Sequence, residues 1–371
     1  MPGLYIHVPF CVRKCKYCDF YSVPLDGATP RFLAALEREL RQLPLDFAPD
    51  TVYIGGGTPT SMEPEALKQL VDILKPVVAR GRVIEWTCEA NPGTLTREKA
   101  DILKAAGVNR MSLGVQSFSA ETLAFLGRIH SSAEAVDSYQ LLRDAGFDNI
   151  NVDLMYGIPG CSREDLEDDL GRVRQLAPEH IAAYCLIFEE GTPLTQMRDA
   201  GRLEELDDDE QLDQYRLVRA DLGAAGYHHY EISNFAKPGF ESRHNLLYWS
   251  AGEYIGCGPA AHSHWRGVRF GNPKSLEEYC AALEAGRSPR SFEEKLEPEA
   301  KAREMLIMGL RRLDGISVGE FRRTTGFDYR DLKPAEIDWL CHIGMLEEQD
   351  GRLRLTEKGL FVSDSVFAEL V

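Results

Sequence analysis

The sequence predicts an α/β fold: a partial (β/α)6 barrel of TIM type followed by a mostly helical, winged-helix-like C-terminal domain. Three observations carry this expectation. Short apolar runs alternate with stretches of helical period six times in roughly 190 residues, the signature of β/α units. Helix, Ala-Gly, strand recurs at Ala106-Gly107 and Ala145-Gly146, with a third copy at Ala225-Gly226; glycine is the residue that ends a helix with left-handed backbone. Glycine and polar residues cluster just after the strands, where barrels place their ligands. A doubly wound sheet fits the same alternation, because sequence does not order strands.

Composition narrows the function classes. The 371 residues are 44% hydrophobic and 27% charged, ordinary values for a globular chain long enough for two or three domains. With 59 acidic against 42 basic residues the net charge is −17, which argues against broad nucleic-acid binding, since that rests on neutralising phosphates. Nine cysteines, three clustered and six scattered, do not form a disulfide framework. The start of the chain lacks the shape of a signal peptide, and no 18-residue apolar run occurs. The expected location is cytoplasmic and reducing, with any membrane contact peripheral.

The first strand, Leu4 to Val8, stops at Pro9 and leads into Cys11-Val-Arg-Lys-Cys15-Lys-Tyr17-Cys18, spacing C-x3-C-x2-C. A lone buried Cys behaves as a small hydrophobe, but three within eight residues can converge on one soft metal centre. Structural zinc takes four protein ligands, and the next cysteine is the isolated Cys88. Ferredoxin-type clusters bring four cysteines. Three would leave one iron of a four-iron cluster open to a small molecule.

A helix follows from Arg31 to Gln42, then a strand, Thr51 to Ile54, running into Gly55-Gly56-Gly57-Thr58-Pro59-Thr60. The Lys-Ser/Thr that completes a P-loop is missing; glycines here let backbone approach a ligand without a Cβ in the way. Pro64 opens the next helix. Arg82 to Cys88 is a strand ending at Glu89, and Arg97 to Ala106 a helix. Arg110 to Gly114 is a strand leading to Gln116, with Arg128 in the loop or helix start beyond. Ala133 to Ala145 is helical, Ile150 to Tyr156 a strand containing Asp153, Arg163 to Leu176 a helix and Ile181 to Phe188 a strand. The acidic run Glu204 to Glu210 reads as a solvated helix start rather than a metal site.

Arg243-His244-Asn245-Leu246-Leu247-Tyr248-Trp249, with Ile255 to Ser263 after it, is dense in aromatics, His, Gly and Cys. That composition fits the wall of a pocket for a flat apolar ligand and equally a satisfied core histidine. The tail has helices at Ala302–Leu313, Ser317–Thr325 and Pro334–Ile343, then an Asp350-Gly351 hairpin. The candidate third helix carries, over Ala335–Leu340, two acids and no base, so an interaction or cover role is expected rather than DNA binding. The expected division is 1–235 for the barrel, 236–289 for a connecting segment and 290–371 for the C-terminal domain.

The cysteine spacing after a first strand, with Gly55-Gly56-Gly57-Thr58-Pro59, resembles the radical S-adenosylmethionine (SAM) proteins, in which SAM chelates the fourth iron of a [4Fe-4S] cluster. That resemblance implies Cys11, Cys15 and Cys18 as metal ligands. It places Tyr5 and Tyr17 around the cluster or the SAM adenine, and Gly56, Gly57 and Thr58 at the methionine end of SAM. Glu89, Gln116, Arg128 and Asp153 would bind ribose hydroxyls, carboxylate or a second ligand. His244-Asn-Leu-Leu-Tyr-Trp249 resembles the HNxxYW element of the heme chaperone HemW family, relatives of the oxygen-independent coproporphyrinogen III oxidases. The oxidases carry a fourth Cys where Phe20 stands here, and an extension before the first strand. The resemblance therefore implies heme as a bound partner, with His244 as first candidate ligand and Cys257 and His262 behind it. It further implies an acceptor hemoprotein, such as a membrane-bound cytochrome subunit, and is compatible with a homodimer. Decarboxylation of coproporphyrinogen III by a 5′-deoxyadenosyl radical is the competing activity.

Overall fold

The computed structural model describes all 371 residues. Its main sheet has twelve strands: β1 (Gly3–Val8), β2 (Thr51–Gly56), β3 (Glu85–Ala90), β4 (Arg110–Gln116), β5 (Ile150–Tyr156), β6 (His180–Cys185), β7 (His228–Glu231), β8 (Asn234–Ala236), β9 (Tyr254–Cys257), β10 (His262–Trp265), β11 (Val268–Gly271) and β12 (Phe292–Lys295). Their spatial order is β12-β11-β10-β9-β1-β2-β3-β4-β5-β6-β8-β7. Strands β1 to β6 are parallel and neighbours in chain order. That order decides between the two α/β architectures. A doubly wound sheet reverses its strand order at a switch point, and this one does not, so the sheet is a partial barrel.

Strand alternation explains the layers. In β1, Leu4, Ile6 and Val8 are fully buried under the helices, while Tyr5 and His7 occupy the opposite, lumen face. The helix Thr29–Arg41 buries Phe32, Leu33, Leu36 and Leu40. Two later helices, Ser132–Asp144 and Arg163–Leu176, begin with capping boxes on Ser131 and Ser162, which satisfy the free amides of the first turn. The Ala-Gly repeats end helices as expected, Gly107, Gly146 and Gly226 all having positive φ. The acidic run opens the helix Asp208–Ala224, with Asp207 accepting from the Glu210 amide at 2.8 Å.

The sequence pattern missed one side of the sheet. Residues 254–257 form β9, a seventh parallel strand beside β1, and β10 to β12 extend the sheet antiparallel beyond it. Their runs are only four residues each, Tyr-Ile-Gly-Cys, His-Ser-His-Trp, Val-Arg-Phe-Gly and Phe-Glu-Glu-Lys, too short and too polar for apolar alternation to betray them. The sheet thereby crosses both divisions expected at 235 and 289.

The C-terminal unit packs helices Pro298–Leu310, Val318–Thr325 and Pro334–His342 against a small sheet made by Ile316–Ser317, Leu346–Gln349 and Arg352–Leu355. Asp350 and Gly351 both have positive φ, the geometry of a tight hairpin turn. Helix, strand, helix, helix and hairpin in this order is a winged-helix arrangement. No helix of the chain is long and apolar enough to cross a membrane.

Candidate functional site

The cysteine loop is held at both ends and in the middle. Phe10–Cys11 pairs in parallel with Val23–Pro24, closing the base of the loop. The Lys16 amide donates to Leu126 O at 3.0 Å, and Lys16 O accepts from the Leu194 amide at 3.1 Å. The three sulfurs therefore sit over the C-terminal end of β1.

Around them runs a continuous polar chain. Cys11 Sγ lies 3.6 Å from Thr58 Oγ1. Asn91 Nδ2 donates to Thr58 Oγ1 at 2.7 Å, and Arg128 Nη2 donates to Asn91 Oδ1 at 2.7 Å. Arg128 Nη1 reaches Cys15 Sγ at 3.6 Å, and Nη2 also donates to Gly114 O. Gly114 is what admits this convergence. A Cβ there would lie 2.7 Å from Asn91 Oδ1, 3.2 Å from Gln116 Nε2 and 3.3 Å from Arg128 Nη2. Gln116 itself has φ of 70°, an uncommon left-handed conformation for a non-glycine residue.

No three His, Cys, Asp or Glu side chains converge on a single ion position. A polynuclear cluster asks for something different, since each sulfur meets its own iron. Burial pushes the Cys11 thiol up and the Cys18 thiol up to about 11; bound iron inverts that preference, because a coordinating thiol is deprotonated outright. The cavity on this side is narrow, about 20 Å³, and is lined by Cys15, Thr58, Asn91 and Arg128 among others.

The glycine loop packs against β1. Gly57 N donates to Val8 O and Thr58 N to Phe10 O, both at 2.7 Å. A Cβ on Gly56, where φ is 101°, would lie 2.6 Å from the His7 ring; one on Gly57 would lie 2.5 Å from Phe10 O. With these amides engaged, carbonyl oxygen is what the loop can offer, the right polarity for an ammonium group. Gly56 N donates to Glu89 Oε2 at 3.2 Å, and Tyr53 OH to Glu89 Oε1 at 2.7 Å. Enclosure by the barrel wall raises Glu89 to about 7, and the neighbouring Asp153 adds to the effect. Enclosure also raises Asp153 to about 6, against the opposing Asn151 hydrogen bond, Arg110 and Arg128.

Tyr17 lies beside Arg128, Cys15, Cys18 and Asp153, and burial raises its phenol; its ring packs on the small cluster of Leu126, Met155, Ile158, Leu186 and Leu194. Tyr5 turns elsewhere. Its hydroxyl meets His7 Nδ1 at 3.1 Å, and with His7 it lines a second cavity of about 400 Å³. Asp19, Phe20 and Tyr21, directly after Cys18, line that cavity too, as do Tyr248, Trp249, Tyr254 and His262.

His244, the first expected heme ligand, reaches neither cavity. It is fully buried at the opposite end of the strands, with Nδ1 on Thr51 Oγ1 and Nε2 on Tyr248 OH, each at 2.8 Å. Burial lowers its pKa to about 3. Both nitrogens are engaged, so the ring acts as a pin between β2 and the helix Arg243–Trp249. Cys257 is also fully buried, paired in register with Ile6 on the helix side of the sheet. Sequence reasoning missed Asn91, His7 and Tyr53. Asn91 had a signal, its place two residues after Glu89; His7 and Tyr53 had none beyond strand alternation.

Comparison with known proteins agrees with this geometry. Residues 5–173 match the radical SAM superfamily and residues 296–362 the HemN C-terminal domain. The chain is 36% identical to the heme chaperone HemW of Bacillus subtilis over 99% of its length and 98% of that protein's. Identity to HemW of Escherichia coli is 35%, covering 98% and 96%. The solved coproporphyrinogen III oxidase HemN of Escherichia coli superposes with a TM-score of 0.85 over 100% of this chain and 90% of that one, at 21% identity, which establishes the shared fold. Near-full-length similarity and the cysteine loop together make this chain a member of the HemW family of radical SAM proteins, which carry a [4Fe-4S] cluster and SAM.

Proposed function

We propose that this protein is a heme chaperone, binding heme and delivering it to acceptor hemoproteins while carrying a radical SAM cluster. One observation carries the reading: Phe20 stands two residues after the third cysteine and lines the large cavity. A side chain that helps wall an aromatic pocket takes the place of the further cysteine expected in a decarboxylase.

Cys11, Cys15 and Cys18 would hold the cluster. Gly56, Gly57 and Thr58 would hold the methionine end of SAM, with Tyr17 toward its adenine. Glu89, Gln116, Arg128 and Asp153 supply polar groups for the rest of that ligand. Bound there, such a cluster would supply the single electron that SAM chemistry needs. Arg128 orients Cys15 and Asn91, and the barrel wall screens the site from water. Residues 290–371 act as a cover or interaction unit, and the expected acceptor is a hemoprotein such as a membrane-bound cytochrome subunit. The expected location is the cytoplasm.

Anaerobically reconstituted protein given heme and coproporphyrinogen III, with SAM and a reductant, tests this directly. The expected outcome is a heme Soret band with coproporphyrinogen left intact, and transfer of the heme to an added apo-cytochrome. Decarboxylation of the tetrapyrrole would overturn the chaperone reading in favour of the oxidase.

A further inference from the structure

Resting on the heme reading above, we propose that heme sits in the 400 Å³ cavity beyond the cysteine loop, with His262 as its iron ligand and Lys274 as the partner of a propionate. The cavity belongs to the size class of small-molecule sites. Its walls follow from strand register. Tyr5 and His7 of β1, Tyr254 of β9 and His262 and His264 of β10 all line it, as paired lumen positions should: Gly3 pairs with Tyr254, and Tyr254 with His264. Tyr248, Trp249, Met308, Phe20 and Tyr21 complete the lining. Flat aromatic walls suit a macrocycle.

The polar groups suit its iron and its carboxylates. His264 is 6% exposed and holds Gly252 O through Nδ1 at 3.3 Å, while its Nε2 is shielded from water without a partner. His262 is the more open of the two, and no protein hydrogen bond engages its ring. Its space comes from Gly271, its register partner: a Cβ there would lie 3.3 Å from His262 Nδ1 and 2.4 Å from the Phe292 ring. The His262 and Phe292 ring centres are 5.5 Å apart, which fixes the imidazole on one side and leaves its other edge to the cavity. Partial burial, and secondarily Lys274, favours the neutral ring, the form that ligates metal. The two cations on the wall differ. Arg269 is paired with Glu304, whereas Lys274 makes no ion pair and is available to an anionic edge.

The test is a heme titration of the cluster-loaded protein, read by magnetic circular dichroism and ferric-heme EPR, which separate heme from cluster. Failure of the unaltered protein to bind heme at all would sink the chaperone reading itself. If it binds, His262→Gly is expected to lose at least ~10-fold in affinity, on the scale seen when a metal ligand loses its support, and added imidazole to restore the original spectrum. His262→Cys should move the spectrum to that of a thiolate-ligated heme, a change that misfolding cannot produce. Lys274→Glu should weaken binding several-fold without altering the ligand field. Unchanged EPR signals and affinity in both His262 variants would overturn the assignment.

Discussion

Two cavities flank the cysteine loop, and they are built on opposite principles. The narrow one beside Cys15 is a hydrogen-bonded network in which Thr58, Asn91 and Arg128 are locked to one another and to the sulfurs. The wide one beside Phe20 is aromatic, with two histidines whose nitrogens are not all engaged. A tight polar network fixes a resident group in one geometry. A roomy aromatic chamber accommodates a ligand that arrives and leaves. The proposed roles, a cofactor on one side and a heme cargo on the other, call for this contrast.

The largest effect should come from removing the sulfurs. With Cys11, Cys15 and Cys18 all replaced by alanine, acid-labile sulfide is expected to fall to zero. The aromatic chamber, walled by strand residues such as Tyr5, Tyr254 and His264 as well as by the cysteine-loop residues 19–21, should still take up heme, though more weakly because residues 19–21 lose an anchor. Abolished heme uptake in that variant would mean the two cavities are one site.

A smaller effect sharpens the histidine contrast. His244→Ala leaves Thr51 and Tyr248 without their partner and opens a hole, so thermal or urea denaturation should show a loss of about 2–4 kcal/mol. Heme spectra of the folded fraction should be unchanged. Lost heme binding with unchanged stability would restore His244 as a ligand and break the comparison.

The smallest effect concerns protons in the lumen. Asp153 is raised to about 6 from an ordinary carboxylate value, so the folded chain holds its proton more tightly than the unfolded chain. Its contribution to stability is fully present below the ordinary carboxylate range and is lost as pH rises through 6. Glu89, raised to about 7, behaves alike at slightly higher pH. Asp153→Asn should therefore flatten the decline of stability between about pH 4 and pH 7 by about 1–3 kcal/mol, measured by urea unfolding of the cluster-free protein. An identical pH profile for the two proteins would show that Asp153 is not held in this way.

Much of the geometry around the cysteines was legible in the sequence because its parts lie in short local patterns. Cys11, Cys15 and Cys18 are neighbours, Gly55 to Thr58 follow a strand directly, and the helices before Gly107, Gly146 and Gly226 announce their ends with glycine. Local spacing and the period of apolar residues are properties of the chain, and they determined the β/α alternation, the cysteine loop and the capped helices. Strand order was another matter. Whether six β/α units make a barrel or a doubly wound sheet depends on which edges pair, and pairing is a relation between distant segments. The same is true of β9: residues 254–257 look like nothing until β1 lies beside them. Only the folded chain gathers Tyr5, Phe20, Trp249, His262 and Met308 around one space, and only it places His244 at the closed end with both nitrogens taken. The physical reason is that a side chain's chemistry depends on its neighbours and its access to water, and those are set by packing across the whole sheet rather than by position along the chain.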